Sequence, residues 1–586
     1  MENVRNFGYY SMFVPVLFSL AFGVVQMALT KRKSHWAYLV HRPLSCQRIH
    51  GAIFGAGALM LMFALVLPLA FVIVSYDIAT NAVVELRHYL FILHVAFVTL
   101  GSYFLGGYVT LNPNRGAILS FALLMVMFIT TPIPVSLSLI SDVLITFTLY
   151  YLSVRSFKVN LTQHFTSKRD IVLAALVVHC AVSFVVSVAL LLHYELPLFF
   201  LDVHPKGYST AEYVARNDFF ALRTMSKTKQ IEHIMGPKDS PAKQMLQQQA
   251  ELTDEVYVNV REIPVGLRGQ LMHMGRFHGM EDEFNNTYWS FSHNEMVLVG
   301  IDKSSGDITG YLGASGFVQP DVLLRINDRF KVVPSFEREQ FIVAHDKLYL
   351  VDFEAKQLTV KYQLPKDDRF VSRVHFNPKG NLAVMKSEKA LYLFNLDELM
   401  AHNDSVTANV VVQHPQPVRQ LRHLGYTVLP DGYLIQYYDT SYFGYKRPGI
   451  SLVHAKHDGS NTVLGEKEFA TWGAMPTLIE YEPIWVSPLI NATLYNYIQG
   501  YFFPHERDKY LSAENYAERV YPKSVYIMMV SMAFFSALMT GWLSRRLKMK
   551  PATARLWVVM NLIMGLSGLL TFFLMNRWRG LIFPAK

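Results

Sequence analysis

Residues 51–75 read GAIFGAGALMLMFALVLPLAFVIVS, a stretch without one charged side chain. A bilayer core is crossed by about 20 apolar helical residues, so this run is long enough to span. Similar runs recur outward from it at 9–29, 89–111, 116–132, 135–154 and 171–193, and again at 524–543 and 556–576. The fourth and fifth are parted only by Pro132-Ile133-Pro134, and the prolines favour a turn there. The first run, Tyr9 to Leu29, has no basic segment before it and no small-residue cleavage site after it, so it reads as a retained span. The whole chain of 586 residues is 52% hydrophobic and only 17% charged, with mean hydropathy +0.21. Soluble chains carry about 25% charged residues. Residues 196–523, by contrast, have ordinary soluble composition. The expected class is a polytopic α-helical membrane protein of about eight spans with a large, mostly β extramembrane domain.

The net charge of +9 does not point to nucleic acid. Much of the excess lies in three short loops beside the apolar runs, where topology alone demands base. Lys31, Arg32, Lys33, Arg42 and Arg48 follow the first run, and Arg155, Lys158, Lys168 and Arg169 follow the fifth. Arg545, Arg546, Lys548, Lys550 and Arg555 follow the seventh, whereas 76–88 sets Asp77 and Glu85 against Arg87. Six spans before the β domain put all three clusters on one face. That face is expected to be cytoplasmic, with the domain and both termini outside. Trp36, Trp542, Trp557 and Trp578 stand near span ends, as interfacial anchors do. The cysteines, Cys46 and Cys180, leave the soluble domain without a disulfide.

The expected divisions are a six-span domain at 1–195, a mixed helical and linker segment at 196–285, a β-rich domain at 286–523 and a two-span segment at 524–586. Within the β region, Val297–Asp302, a Lys303–Gly306 turn and Ile308–Leu312 form a strand–turn–strand unit. The unit returns at Lys347–Asp352 with Leu358–Val360, at Ala390–Asn395, and at Ile450–His454 with Thr462–Leu464. Two further stretches, Phe376-Asn377-Pro378-Lys379-Gly380 and Val428-Leu429-Pro430-Asp431-Gly432, share an apolar–x–Pro–x–Gly form. Repeats of about 40–50 residues suit propeller blades. The expectation is a partial or divergent β-propeller, with a β-sandwich as the alternative.

The first basic loop reads Tyr38-Leu39-Val40-His41-Arg42-Pro43-Leu44-Ser45-Cys46-Gln47-Arg48-Ile49. It resembles the cytoplasmic segment of type-2 ABC exporter permeases, in which Arg-Pro-(apolar)-Ser-x-x-Arg precedes a span. Arg42, Pro43, Ser45 and Arg48 match that pattern. Cys46 stands where the family commonly has a basic residue, and Ile53 where it often has lysine. Proline starts a helix well, and a serine can satisfy free N–H groups at a helix start. Arginines suit an interface with an acidic partner, and the plainer alternative is that Arg42 and Arg48 only fix topology. The glycine-punctuated run Asn561–Leu570 is also similar to the last helix of some members.

The resemblance implies a transport subunit rather than an enzyme. It would have no catalytic residues or cofactor of its own, and it would couple through residues 36–50 to a separate cytoplasmic ABC ATPase. It also implies pairing with a second permease chain, like or unlike, in a bacterial inner membrane with the β domain in the periplasm. No Gly-x-x-x-x-Gly-Lys-Ser/Thr phosphate loop occurs in the chain, which is why the ATPase must be another polypeptide. Two other readings compete: a membrane-anchored propeller that binds envelope proteins without transport, and a quinoprotein dehydrogenase. The latter needs eight blades, where residues 286–523 have room for about five or six. His94 and Asp142 are ionisable groups inside apolar runs, a placement that suggests a polar pathway or relay. Met272, His273, Met274, His278 and Met280 are split between faces by strand alternation and read as packing, so no metal site is expected.

Overall fold

The computed structural model describes residues 4–32, 36, 38–39, 43–80, 83–112, 115–129, 135–158, 167–190, 222, 224–236, 241–252, 255–259, 268–271, 279–337, 340–377, 380–401, 405–415, 421–439, 449–468 and 523–576. The helical part begins with α1 (Val4–Thr30), α2 (Cys46–Ala79) and α3 (Leu86–Leu111). A 3₁₀ turn, Arg115–Ser120, leads into the short α4 (Phe121–Ile129), and α5 (Val135–Ser156) and α6 (Lys168–Leu190) follow. Four described helices are long and apolar enough to cross a membrane, namely Met12–Thr30, Cys46–Ala79, Leu86–Leu111 and Ile527–Arg546. The eight expected spans are therefore not all matched by such helices. The Pro132–Pro134 turn lies outside the described residues.

Helix α3 is the axis of the bundle. Helix α1 runs parallel to it, with Met12 beside Phe91 and Val95 at one end and Lys31 Nζ donating to Thr110 O (3.1 Å) at the other. Their backbones touch because the contact is built on glycine: a Cβ on Gly23 would lie 2.4 Å from Tyr103 O, and one on Gly106 2.4 Å from Leu20 O. Small residues let helices approach this closely where lipid supplies no hydrophobic drive for association. Helix α5 runs parallel to α3, so that Thr146 Oγ1 donates to Phe97 O (3.0 Å) and, further along both helices, Tyr150 meets Phe104 edge-on. Helix α2 passes through a π turn at Met62–Val66 just before Pro68. Proline there has no N–H and crowds the preceding turn, which widens to accommodate it.

All three basic loops meet at one end of the bundle. The Trp36 ring packs tilted against Phe157 at 5.0 Å, joining the first loop to the second. Ile171 clusters with Leu543 and Trp557, joining the second to the third. The β module sits at the other end of α3, where Val135 N donates to Gly269 O (3.1 Å) and Leu271 packs on Met12, Phe91 and Val95. Helix α3 has 26 residues, so the two ends stand about 39 Å apart.

The C-terminal part departs from two spans. Helix α9 (Lys523–Arg546) is followed by α10 (Pro551–Met564) and α11 (Leu566–Met575), which fold back on each other. The rings of Trp557 and Phe572 are 5.2 Å apart. In one straight helix they would be about 22 Å apart. Gly565, at φ +64, makes the reversal, and a Cβ on Gly568 would lie 3.2 Å from Asn561 Cα. The expected eighth span is thus a hairpin, and Asn576 returns to the basic end rather than lying with the β module. Trp557, expected as an interfacial anchor, is buried with Ile171, Leu543 and Phe572.

Among the described residues the β module comprises four antiparallel sheets, β2–β6 (279–318), β7–β10 (335–363), β11–β14 (375–413) and β15–β18 (421–468). Strand β1 (Glu255–Asn259) pairs with β15, so the module starts earlier than residue 286. The repeated units occupy equivalent places: β4–β5, β9–β10, β13–β14 and β17–β18 are the third and fourth strands of each chain-consecutive meander. The proline–glycine stretches join the first and second strands of the last two sheets. At Gly432 a Cβ would lie 2.1 Å from Ala455 O, which explains the glycine.

Each sheet packs on the next: Trp289 and Phe291 against Phe336 and Ile342, Phe341 and Leu350 against Ala383 and Tyr392, Leu382 and Leu393 against Leu424 and Tyr426. Alternation then decides the last face. Tyr433, Ile435 and Tyr437 of β16 (Gly432–Asp439) face the third sheet, while Leu434 and Tyr438 pack with Ile231, Ile234 and Leu246. Those residues belong to α7 (Lys227–Met235) and α8 (Pro241–Glu251). Helices, not the first sheet, cover that face, and the described residues form no closed propeller.

Candidate functional site

The structure brings together two residues that nothing in the sequence pairs. His94 on α3 and Asp142 on α5 are 2% and 0% exposed, and His94 Nδ1 bonds to Asp142 Oδ2. The parallel α3–α5 contact creates the pair, although 48 residues separate them. Asp142 is fully buried, because α5 turns it toward α3. Phe91 stacks against the imidazole at 5.9 Å. His94 Nε2 and Asp142 Oδ1 are buried and have no hydrogen-bond partner among the described residues.

Further along the same seam, His50 Nε2 bonds to Ser153 Oγ (2.9 Å), and the ring lies between Phe54, Tyr150 and Phe157. At the basic end Asp170 accepts from Arg155 Nη2 (2.8 Å), Ser167 Oγ (2.6 Å) and Tyr151 Oη (3.2 Å). This carboxylate staples the end of α5 to the start of α6. It escaped the reading of the basic loop, although Ser167-x-x-Asp170 before an apolar run is a recognisable capping pattern.

Of the coupling residues, Arg42 lies outside the described residues. Pro43, Ser45 and Arg48 are exposed at the basic end. Ser45 caps α2, its Oγ accepting from Arg48 N (3.3 Å), as its position before the apolar run suggested. Ile53 packs on the bundle core and its carbonyl accepts from Gln26 Nε2 (3.4 Å), a setting that suits isoleucine better than lysine. Of the methionine–histidine set, Met272, His273, Met274 and His278 lie outside the described residues and Met280 is core.

At the opposite end Glu85, 4% exposed, joins the bundle to the β module. Its Oε1 accepts from Ser292 Oγ (2.6 Å) and Asn294 N (2.9 Å), and Arg87 Nη1 donates to Gln270 O (2.6 Å). Charged groups just outside an apolar run are expected at any membrane surface, so nothing in the sequence distinguished Glu85. The chain matches no known protein family, no curated protein and no solved structure.

Proposed function

We propose that the chain is the membrane-spanning subunit of an ATP-driven ABC-type exporter, working with a separate cytoplasmic ATPase and a second permease chain. The observation that carries this reading is the basic end face. There the exposed Pro43–Arg48 segment runs straight into α2, a helix of 34 residues. Such a helix is about 51 Å long, some 20 Å more than an apolar core of about 30 Å can hold. A push on its capped start would be carried into the bundle without a hinge loop. The Arg-Pro-(apolar)-Ser-x-x-Arg resemblance supplies the partner, and the basic loops favour the cytoplasm for that face.

The β module then lies on the external side of a bacterial inner membrane. We read its meander sheets as blades of an incomplete propeller, held to α3 through Glu85. The experiment is purification of the full chain from its native membrane with ATP hydrolysis as the readout. ATPase activity should accompany the wild type and be lost on Arg42→Glu with Arg48→Glu. Undiminished activity in the double variant would refute the docking role. Absence of ATPase from both would favour an envelope-binding scaffold.

A further inference from the structure

We propose that the His94–Asp142 pair is a proton-binding site, taking up and releasing one proton within the membrane part of the chain. His94 is eight residues into α3, about 12 Å from its start, which places the pair well inside an apolar core of about 30 Å. Two donors do not make a metal centre, and among the described residues no group of three His, Cys, Asp or Glu side chains comes together. A proton is the ligand that fits. With one proton on the pair, the net charge is zero whether it rests on the imidazole or the carboxyl. Adding or removing one leaves a net charge in low dielectric, so the occupied neutral state is the resting one.

The second observation is where the outer atoms point. A buried ion pair that only locks two helices has its remaining polar atoms satisfied by neighbours. Here His94 Nε2 and Asp142 Oδ1 both lack a partner among the described residues. Thr99 Oγ1 on α3, Ser19 Oγ on α1 and His50 Nδ1 on α2 are buried and lack one too. An unmet buried polar atom costs about 1–3 kcal/mol, so these atoms are where an entering proton or water would be held. Asp142, Thr146 and Ser153 lie on one face of α5, leading from the pair toward His50 and the basic end.

The other described titratable groups near this seam are Glu85, Arg87, His88 and Tyr89 at the start of α3, with Asp77, which accepts from Tyr89 Oη, on the end of α2. At the far end stand His50, Arg155 and Asp170. From α1, Met12 is the residue that packs beside Phe91, and it carries no charge. In the exchange, a hydronium ion gives its proton to the pair and leaves as water. No other bond is made or broken.

The test is an infrared pH titration of the full chain in lipid, comparing wild type with Asp142→Asn and His94→Gln. The C=O stretch of a buried protonated carboxyl should change with pH in the wild type and be absent from Asp142→Asn. In His94→Gln its midpoint should move by at least about one pH unit. A wild type in which neither the carboxyl nor the imidazole bands of the pair change with pH would overturn the proposal and leave a fixed ion pair. If Asp142→Asn does not fold, His94→Gln decides alone, and an unchanged titration overturns it. Neither readout involves an ATPase, so this result stands apart from the exporter reading.

Discussion

His414 shows how one side chain outside the membrane ties the β module to pH. Its Nε2 bonds to Ser387 O (3.0 Å), its ring meets Tyr437 edge-on, and burial holds its pKa down at about 4 against an ordinary 6.5. Between those values the unfolded chain binds the proton and the folded one does not. Stability is therefore full above pH 6.5, falls as pH drops toward 4, and levels off below. The contribution reaches about 3 kcal/mol. His375 is shifted the same way by burial and adds with the same sign. Trp289, buried in the first two sheets, reports unfolding of the module by fluorescence. The wild type should lose stability from pH 6.5 to 4, and His414→Gln should lose less; equal slopes would remove this assignment. None of this was legible in the sequence, because a histidine in a polar loop looks the same whether or not a neighbouring strand covers it. His94 and Asp142 were legible as isolated oddities, since ionisable groups are costly in apolar runs. Their partnership was not, because it depends on the register of α3 against α5.

At the scale of elements, what could be read depended on how local the signal was. The strand units came through nearly residue for residue: Val297–Asp302, Lys347–Asp352 and Ala390–Asn395 are β4, β9 and β13 as bounded. Alternation and turn residues set these locally. The C-terminal run 556–576 failed for the opposite reason. Its composition is that of a span, and only Gly565 and Gly568 allow the tight reversal and close approach that halve it. A glycine inside a membrane helix is common enough that sequence cannot separate a reversal from a packing contact. The α1–α3 crossing makes the same point with a measurable consequence. Gly106 faces the backbone of Leu20, so even a methyl group must push the helices apart, whereas Gly51 on α2 faces open space. Gly106→Leu should lower stability by more than about 3 kcal/mol, read as a fall in the thermal midpoint of the detergent-solubilised protein. Gly51→Leu should leave that midpoint in place. Similar losses from both would mean that backbone contact is not what joins α1 to α3.

For the whole molecule, the charge pattern and the packing agree on three loops and disagree with an eight-span count on the fourth boundary. The described residues of the three basic loops meet at one end of the bundle through Trp36, Phe157, Ile171 and Trp557. The β module occupies the other end through Glu85 and Val135. The hairpin brings Asn576 back beside the three loops, and the residues that follow it in sequence include Arg577 and Arg579, the composition expected of that side. Single cysteines in a chain freed of Cys46 and Cys180 can test this in sealed vesicles with a membrane-impermeant thiol reagent. Cysteines at Lys548 and Asn576 should label from the same side, and one at Ser304, in the exposed turn after β4, from the opposite side. A full span from 556 to 576 would instead make 576 label with 304. That result would return the last glycine-punctuated run to an ordinary crossing. It would also detach His179, whose Nδ1 bonds to Ser567 Oγ (2.9 Å), from the turn that the hairpin presents to it.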